Sequence, residues 1–239
     1  MKTLDITFKT PAQNLACDEA LVDWCEEGFQ HEILRFWEPL EYFVVLGYSN
    51  KIHLEINELS CQKLGIPVFR RASGGGTVLQ GPGCLNFSLI LQMSRHPGLG
   101  SITRTNRYIM ERHCAAFSRL LGTPAEVRGI TDLTVGPMKF SGNAQRKKRH
   151  FLLFHGTFLY NFDINLIEKV LRMPTLQPDY RQKRSHKKFL TNLNIPPGQI
   201  KEALKKSWGA REILEEFPSD RIEKLTEEKY SRDAWNRKF

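Results

Sequence analysis

The segment Arg70-Arg71-Ala72-Ser73-Gly74-Gly75-Gly76-Thr77-Val78-Leu79-Gln80-Gly81-Pro82-Gly83 constrains this chain more than any other. A short β-prone run, Ile66-Pro67-Val68-Phe69, precedes it, and an alternating apolar run, Leu85 to Leu91, follows. Glycine admits backbone dihedrals closed to other residues and lets another group approach the main chain. Bare backbone N–H groups beside arginine attract an anion such as phosphate or carboxylate. A glycine-rich hairpin turn is the plainer reading of the same residues. The order of elements excludes two familiar phosphate loops. No G-x-x-x-x-G-K-[ST] is present, and no G-x-G-x-x-G opens a helix. The pattern is strand, glycine loop, strand, so a nucleotide held there lies across a sheet and not on a helix N-terminus.

With 239 residues and 41% hydrophobic content, the chain can bury one sizeable core, with room for a small appendage. No run of 18 apolar residues exists, and Met1-Lys2-Thr3-Leu4-Asp5 lacks the apolar stretch of a signal peptide. Five scattered cysteines (Cys17, Cys25, Cys61, Cys84, Cys114) show no C-x-x-C and no metal-ligand spacing. Such a set fits reduced thiols, so a cytoplasmic protein without a bound metal is expected. The formal net charge is +9. Twelve Lys/Arg against three Asp/Glu fall between Lys139 and Lys188, so the whole excess sits there, mostly in Arg146 to Arg149 and Arg181 to Lys188. That stretch is either a solvated surface or a steering field for an acidic partner. Nucleic acid is disfavoured, because no helix-turn-helix, zinc or RNP pattern accompanies the charge.

Periodicity predicts helices over 12–27, 54–64, 102–121, 165–171, 199–208 and 211–230. It predicts strands over 32–37 and 42–47, joined by a turn at Pro39, and over 131–135, 138–143 and 151–160, besides those flanking the glycine loop. Hairpin-spaced strands with helices at both ends give an α+β fold with a mainly antiparallel sheet. Two further residues are notable. Lys139 is a single lysine in an alternating strand beside small residues, Met138-Lys139-Phe140-Ser141-Gly142-Asn143. His155-Gly156-Thr157 interrupts the apolar run from Phe151 to Leu159. The triplet suggests a small pocket reached by backbone and imidazole; a core histidine satisfied by a carbonyl is the alternative.

Four ordered motifs, R-R-x-S-G-G-G-T-V, G-I-T-D-L, K-F-S-G-N-A-Q-R and H-G-T, resemble the lipoate–protein ligase A family. Asn14-Leu15-Ala16-Cys17-Asp18-Glu19-Ala20-Leu21 is similar to that family's N-x-A-x-[DE]-E-A-L helix, and Leu190-Thr191-Asn192-Leu193 to its S-x-V-T-N-L segment. Leu46-Gly47-Tyr48-Ser49-Asn50 looks like its G-x-x-Q-N region, with Ser49 at the glutamine. The resemblance runs from about Asn14 to Leu193.

The resemblance implies the biotin/lipoate ligase fold, a mixed, mainly antiparallel sheet flanked by helices. Residues 1–195 form its catalytic domain, and 196–239 a helical C-terminal extension packed on it without a full accessory domain. It also implies a chemistry: lipoate and ATP give lipoyl-AMP, and the acyl group passes to a protein lysine. Joining two anions needs fixed positive charge between them. Lys139 is the catalytic candidate. Arg71 is expected to hold phosphate, with the backbone of Gly74, Gly75, Gly76, Thr77, Val78 and Leu79 around the nucleotide. Asn86, Asp132, His155, Gly156 and Thr157 complete the substrate-binding set, with Asp132 either binding Mg²⁺ or orienting Lys139. An acyl tunnel is expected around Phe87 and Phe154. The implied acceptors are acidic lipoyl domains of 2-oxoacid dehydrogenase subunits or the glycine cleavage H protein, with room for a separate accessory subunit. The superfamily also holds octanoyltransferases that use a cysteine thioester and no ATP. Gly81-Pro82-Gly83 resembles their H-G-P-G loop, and Gln80 replaces the histidine of both groups. Cys84, next to the loop, is the nucleophile that this alternative requires.

Overall fold

The computed structural model describes residues 1–174 and 176–239. In chain order the strands are β1 (Lys2–Asp5), β2 (Ile33–Trp37), β3 (Phe43–Leu46), β4 (Val68–Arg70), β5 (Val78–Gln80), β6 (Cys84–Gln92), β7 (Ala125–Arg128), β8 (Asp132–Val135), β9 (Met138–Lys147), β10 (Phe151–Leu159) and β11 (Glu212–Ile213). The helices are α1 (Pro11–Glu26), α2 (Ile52–Glu55), α3 (Glu58–Lys63), α4 (Ile102–Leu121), α5 (Ile164–Val170), α6 (His186–Phe189), α7 (Pro197–Trp208), α8 (Ser219–Leu225) and α9 (Asp233–Asn236). Local chemistry fixes the main helix ends. Thr10 and Gln13 form a capping box before Pro11 at the start of α1. Ser101 caps α4, and Gly122 ends it in the left-handed region at φ 66°.

Eight strands form one sheet in the order β11-β1-β2-β6-β10-β9-β8-β7. Pairing from β2 through β7 is antiparallel, whereas β1 lies parallel to both β2 and β11. One face is closed by α4 and α7, where Phe87, Phe117, Phe140, Phe154, Phe158, Ile200 and Leu204 make an apolar core. The other is covered by α1 and α8 over Ile33, Ile90, Phe151 and Leu153. A three-stranded sheet, β4-β3-β5, packs beside it with α2, α3 and α5. The α+β class and mainly antiparallel sheet read from the sequence are those observed.

Several local expectations are corrected. β2 and β3 are not paired. The Pro39 segment instead carries the chain from the large sheet to the small one, and which sheet a strand joins is decided by distant partners. The helix expected over 54–64 breaks at Ile56, and α3 starts afresh from an Asn57 cap whose side chain accepts from the Ser60 N–H. The helix expected over 211–230 begins as β11 alongside β1. Pro218 disfavours helical geometry in the residue before it, and the helix starts only at Ser219. β1 and β7, both four residues long, were too short to show a period.

Candidate active site

Alternation along β6 and β10 sorts the chemistry. Residues Leu85, Phe87, Leu89 and Leu91 of β6 and Leu152, Phe154 and Phe158 of β10 face α4. The intervening residues face α1, and the register aligns them in rows: Trp37–Asn86–Thr157–Gly142 and Arg35–Ser88–His155–Ala144. The acyl tunnel expected around Phe87 and Phe154 is therefore not there. Both rings are fully buried in the α4 core, Phe87 against His113 and Phe158 and Phe154 against His113, on the wrong face for a site beside His155.

The glycine loop lies on the α1 face. It connects β4 to β5, which flank β3 on opposite sides, so it must arch over the end of β3. There the main chain of Gly75 presses on Gly47, and a side chain at Gly47 would collide with the Gly75 carbonyl. Gly75 itself has φ 87°, and a Cβ on it would meet Arg71 Nη2 at 2.8 Å and Ala144 Cβ at 3.1 Å. Glycine is required at both positions by close approach, and at Gly75 also by backbone conformation.

Arg71 is buried inside this arch. Its guanidinium donates to the Gly74 carbonyl (2.6 Å), the Gly76 carbonyl (2.7 Å) and Ser73 Oγ (3.1 Å). Burial pushes its pKa down to about 10, so it stays charged at neutral pH. The expected direct contact between Arg71 and a phosphate is not what this geometry provides, because the loop carbonyls occupy the guanidinium. The carbonyls turn inward to the arginine, and the exposed N–H groups of Gly74, Gly75 and Gly76 make no hydrogen bond with the described residues. Thr77 is tied down through Oγ1 to Asn50 Nδ2 (3.0 Å), while the Val78 and Leu79 side chains belong to apolar clusters and offer only backbone.

Ser73 Oγ is 2.6 Å from His155 Nε2, and His155 Nδ1 faces Asp18 Oδ2 at 3.5 Å. Asp18 is buried, and burial disfavours its charge. The Arg35 guanidinium at 2.5 Å and the imidazole outweigh that and hold the carboxyl below its usual range. Arg35 also donates to Asn14 O (2.8 Å) and Asn14 Oδ1 (2.9 Å). The two acids of the N-L-A-C-D-E-A-L helix thus part company. Asp18 faces the histidine, while Glu19 takes Arg146 (2.7 Å), Lys229 (2.6 Å) and Tyr230 (2.7 Å). Of the residues expected in the site, Asn86 and Thr157 form a separate polar knot with Gln80. Thr157 Oγ1 donates to Asn86 Oδ1 (2.5 Å), Asn86 Nδ2 to Gln80 Oε1 (3.0 Å) and Gln80 Nε2 to Thr157 Oγ1 (2.6 Å). Gly156 leaves room for the Asn143 amide, which would strike any side chain there.

Lys139 reaches the same face from β9. Phe140 lies in the α4 core, whereas the Lys139 ammonium rests against Gly142, where a Cβ would stand 2.9 Å away. Gly142 and Ala144 are two residues apart, so the ammonium and the glycine arch are separated by about 7 Å along the strand. Lys139 Nζ is 2.7 Å from Asp132 Oδ1, and Asp132 Oδ2 accepts from the Tyr180 hydroxyl at 2.7 Å. Both carboxylate oxygens are engaged, so Asp132 fits an orienting role for Lys139. No group of three or more His, Cys, Asp or Glu among the described residues is arranged to hold a metal ion.

Cys84 is fully buried among Val44, Leu46, Leu159 and Phe162, and burial pushes its thiol far above the usual range. Cys17 and Cys25 are likewise pushed up to about 12 by burial. Cys114 is half-buried, and its Sγ donates to the Ala125 carbonyl. Part of the basic stretch is half-buried and paired. Arg146 pairs with Glu19, Lys148 with Asp23, Lys147 donates to the Leu99 carbonyl, and Arg181 is buried over Phe189. Arg149, Lys169, Arg172, Lys183, Lys187 and Lys188 remain exposed. Sequence reasoning missed Asp18, Arg35, Ser73, Gln80 and Tyr180. The available signal was a pair of acids inside an otherwise apolar helix, which are expensive to bury without partners. No helix among the described residues is long and apolar enough to cross a membrane.

The lipoyl protein ligase A/B catalytic domain matches residues 10–208, and the chain belongs to this family. It is 29% identical to the probable lipoate-protein ligase A of Mycoplasma pneumoniae, over 99% of this chain and 71% of that protein. It is 28% identical to octanoyltransferase LipM of Geobacillus kaustophilus, over 98% of this chain and 96% of that one. The fold is shared with the bi-partite lipoate protein ligase of Thermoplasma acidophilum, described alongside its E2 lipoyl domain, at 25% identity and a TM-score of 0.79 over 99% of this chain and 96% of that chain.

Proposed function

We propose that this chain is a lipoate–protein ligase, which joins lipoate to ATP as lipoyl-AMP and passes the lipoyl group to a lysine of an acceptor lipoyl domain. The observation that carries this reading is the glycine arch. Three successive N–H groups without a partner among the described residues lie on an arch whose carbonyls hold a buried arginine charge, one residue pair along the strand from the Lys139 ammonium. In the first step a carboxylate oxygen attacks the α-phosphorus and pyrophosphate leaves. In the second the acceptor amine attacks the acyl carbonyl and AMP leaves. Both steps develop negative charge at one locus, and a preorganised cation there is the economical stabiliser. Lys139, held by Asp132 and through it by Tyr180, supplies that charge. Backbone N–H groups from Gly74 to Thr77 cradle phosphate, and Arg71 compensates it from behind the loop. Asn86, His155, Gly156 and Thr157 line the floor of the substrate site. Mg²⁺ enters as the counter-ion of ATP. Residues 1–195 with 196–239 packed on them act as one catalytic unit, and the bi-partite Thermoplasma relative leaves room for a separate accessory polypeptide.

One observation favours a second reading, an ATP-independent octanoyl or lipoyl transferase: the Geobacillus relative of that name is matched over 96% of its length. That chemistry needs a reactive thiolate, and thiol reactivity follows thiolate population. Burial of Cys84 argues against it. The exposed cations from Lys169 to Lys188 suit an acidic acceptor, so acceptor KM rises with salt as screening grows. The deciding assay is modification of a recombinant lipoyl domain. The reading requires dependence on both ATP and lipoate. Full modification from octanoyl carrier protein without ATP, lost in Cys84→Ser, would replace it with the transferase.

A further inference from the structure

Arg70 is fully buried, yet no carboxylate within salt-bridge distance pairs with it among the described residues. It spends its guanidinium on carbonyls. Nη1 donates to Gly47 O (2.9 Å), Tyr48 O (3.1 Å) and Asn50 O (2.8 Å), and Nε donates to Asn236 O (3.2 Å). These bonds hold the turn after β3 on which the glycine arch rests, and the Tyr48 N–H in turn donates to the Ser73 carbonyl (2.9 Å). Arg70 is thus the root of the arch, one residue before Arg71.

The backbone of Arg70 is held from elsewhere. β4 is the edge strand of the small sheet, so the outer side of Arg70 has no strand to pair with. Residues 235 and 236 stand in for one. The Arg70 N–H donates to Asn236 Oδ1 (3.0 Å), and the Arg70 carbonyl accepts from Trp235 Nε1 (2.8 Å). The Asn236 amide uses its other end as well, donating from Nδ2 to the Tyr230 carbonyl (2.9 Å). Tyr230 is anchored through its hydroxyl to Glu19 Oε2 (2.7 Å), the carboxylate that also binds Lys229 and Arg146. Asn236 is itself 4% exposed. The primary amide serves as acceptor and donor at once, Oδ1 toward Arg70 and Nδ2 toward Tyr230.

We infer that Asn236 is a positioning residue for the anion site: by fixing the backbone of Arg70 it sets the direction of Arg71, Ser73 and the glycine arch. It touches no substrate and acts through Arg70. The continuous path runs from Glu19 on α1 through Tyr230 and Asn236 to Arg70 and the Gly47–Asn50 turn. It gives the second acid of the N-L-A-C-D-E-A-L helix a task distinct from that of Asp18. The catalytic part of this inference rests on the ligase reading, whereas the structural part does not.

The test compares Asn236→Ala and Asn236→Asp with the unaltered full chain in ATP–pyrophosphate exchange. Loss of one buried hydrogen-bonding partner corresponds to about a tenfold effect, expected as a rise in KM for ATP with kcat within about twofold. Asn236→Asp keeps the acceptor for the Arg70 N–H but loses the donor to the Tyr230 carbonyl, so it recovers only part of the loss. A lower melting temperature with unchanged KM would mean that Asn236 only stabilises the fold, and would overturn the inference. Hydrogen exchange at the Tyr48, Asn50 and Arg71 amides, which donate to the Ser73, Gly47 and Leu46 carbonyls, gives a readout independent of activity. Exchange there accelerates in Asn236→Ala, and in Trp235→Phe should the alanine variant fail to fold; identical protection overturns the inference. A wild-type chain with no ATP-dependent exchange refutes the ligase reading instead, and hydrogen exchange alone then decides the role of Asn236.

Discussion

Strands β6 and β10 carry two different kinds of surface on their opposite faces. Toward α4 they present Phe87, Phe154 and Phe158, with Phe87 and Phe158 stacked at 4.9 Å and His113 against both. Toward α1 they present Asn86, Ser88, His155 and Thr157, each aligned with a partner on the neighbouring strand. A strand reverses face at every residue, so a one-residue difference in position separates stability from chemistry. The two faces therefore fail differently. Damage on the α4 face costs folding free energy and leaves the surviving molecules competent. On the α1 face, away from the Ile90, Phe151 and Leu153 core, damage at the polar positions is expected to remove turnover more than it costs the fold.

The largest effect is expected on the α1 face. Lys139→Ala reduces lipoate-dependent turnover by about 10³-fold, the scale of losing a preorganised charge at a developing anion. Its circular dichroism and melting temperature stay near those of the wild type, since the ammonium is partly exposed, bridging to Asp132 and lying 5.9 Å from the Phe189 ring centroid. Near-normal rates in this variant would remove Lys139 from the mechanism.

The converse is expected on the α4 face. Phe154→Ala costs about 3–5 kcal/mol in denaturant unfolding, the range for truncating a fully buried aromatic. KM for ATP stays unchanged wherever the variant is folded. A variant that unfolds normally but binds ATP poorly would merge the two faces into one.

His113 gives a smaller, pH-dependent contrast. Burial holds its pKa down to about 3, so the folded chain keeps it neutral, accepting from Trp208 Nε1 at 3.0 Å. The unfolded chain takes up that proton below about pH 6.5. Stability is complete above pH ~6.5 and declines as pH falls toward the folded value. His186, held down to about 4 by burial, adds a contribution of the same sign. The urea midpoint is expected to be lower at pH 5 than at pH 7, with a shallower dependence in His113→Phe. Equal slopes in the two proteins would contradict the assignment.

The smallest effect belongs to Cys84. Cys84→Ser leaves kcat within about twofold and costs only the ~1 kcal/mol scale of a polar substitution in an apolar cluster. Loss of activity in that variant would revive the thioester chemistry.

The chemistry that was legible in the sequence was local. Three glycines after paired arginines, and a lone lysine beside Gly142, both announced unusual backbone approaches, and both sit where the chain makes them. What was not legible depends on distant partners. Nothing near Phe87 tells which face of β6 looks toward α4, so the acyl tunnel was assigned to the core. Nothing near Pro39 tells that β2 and β3 join different sheets. Arg71 looked like a phosphate ligand because arginine beside glycine suits one, but the arch folds its own carbonyls onto the guanidinium first. Much of the basic stretch looked like a docking surface, although β9 runs through it and Glu19 and Asp23 consume two of its charges.

The measurement that tests the central claim most directly is exchange of labelled pyrophosphate into ATP by the purified chain, with no acceptor protein present. The adenylate chemistry predicts exchange that appears with lipoate, vanishes without it and is lost in Lys139→Ala. Absence of exchange in the folded wild-type chain, with acyl transfer from octanoyl carrier protein proceeding in the same preparation without ATP, would contradict it.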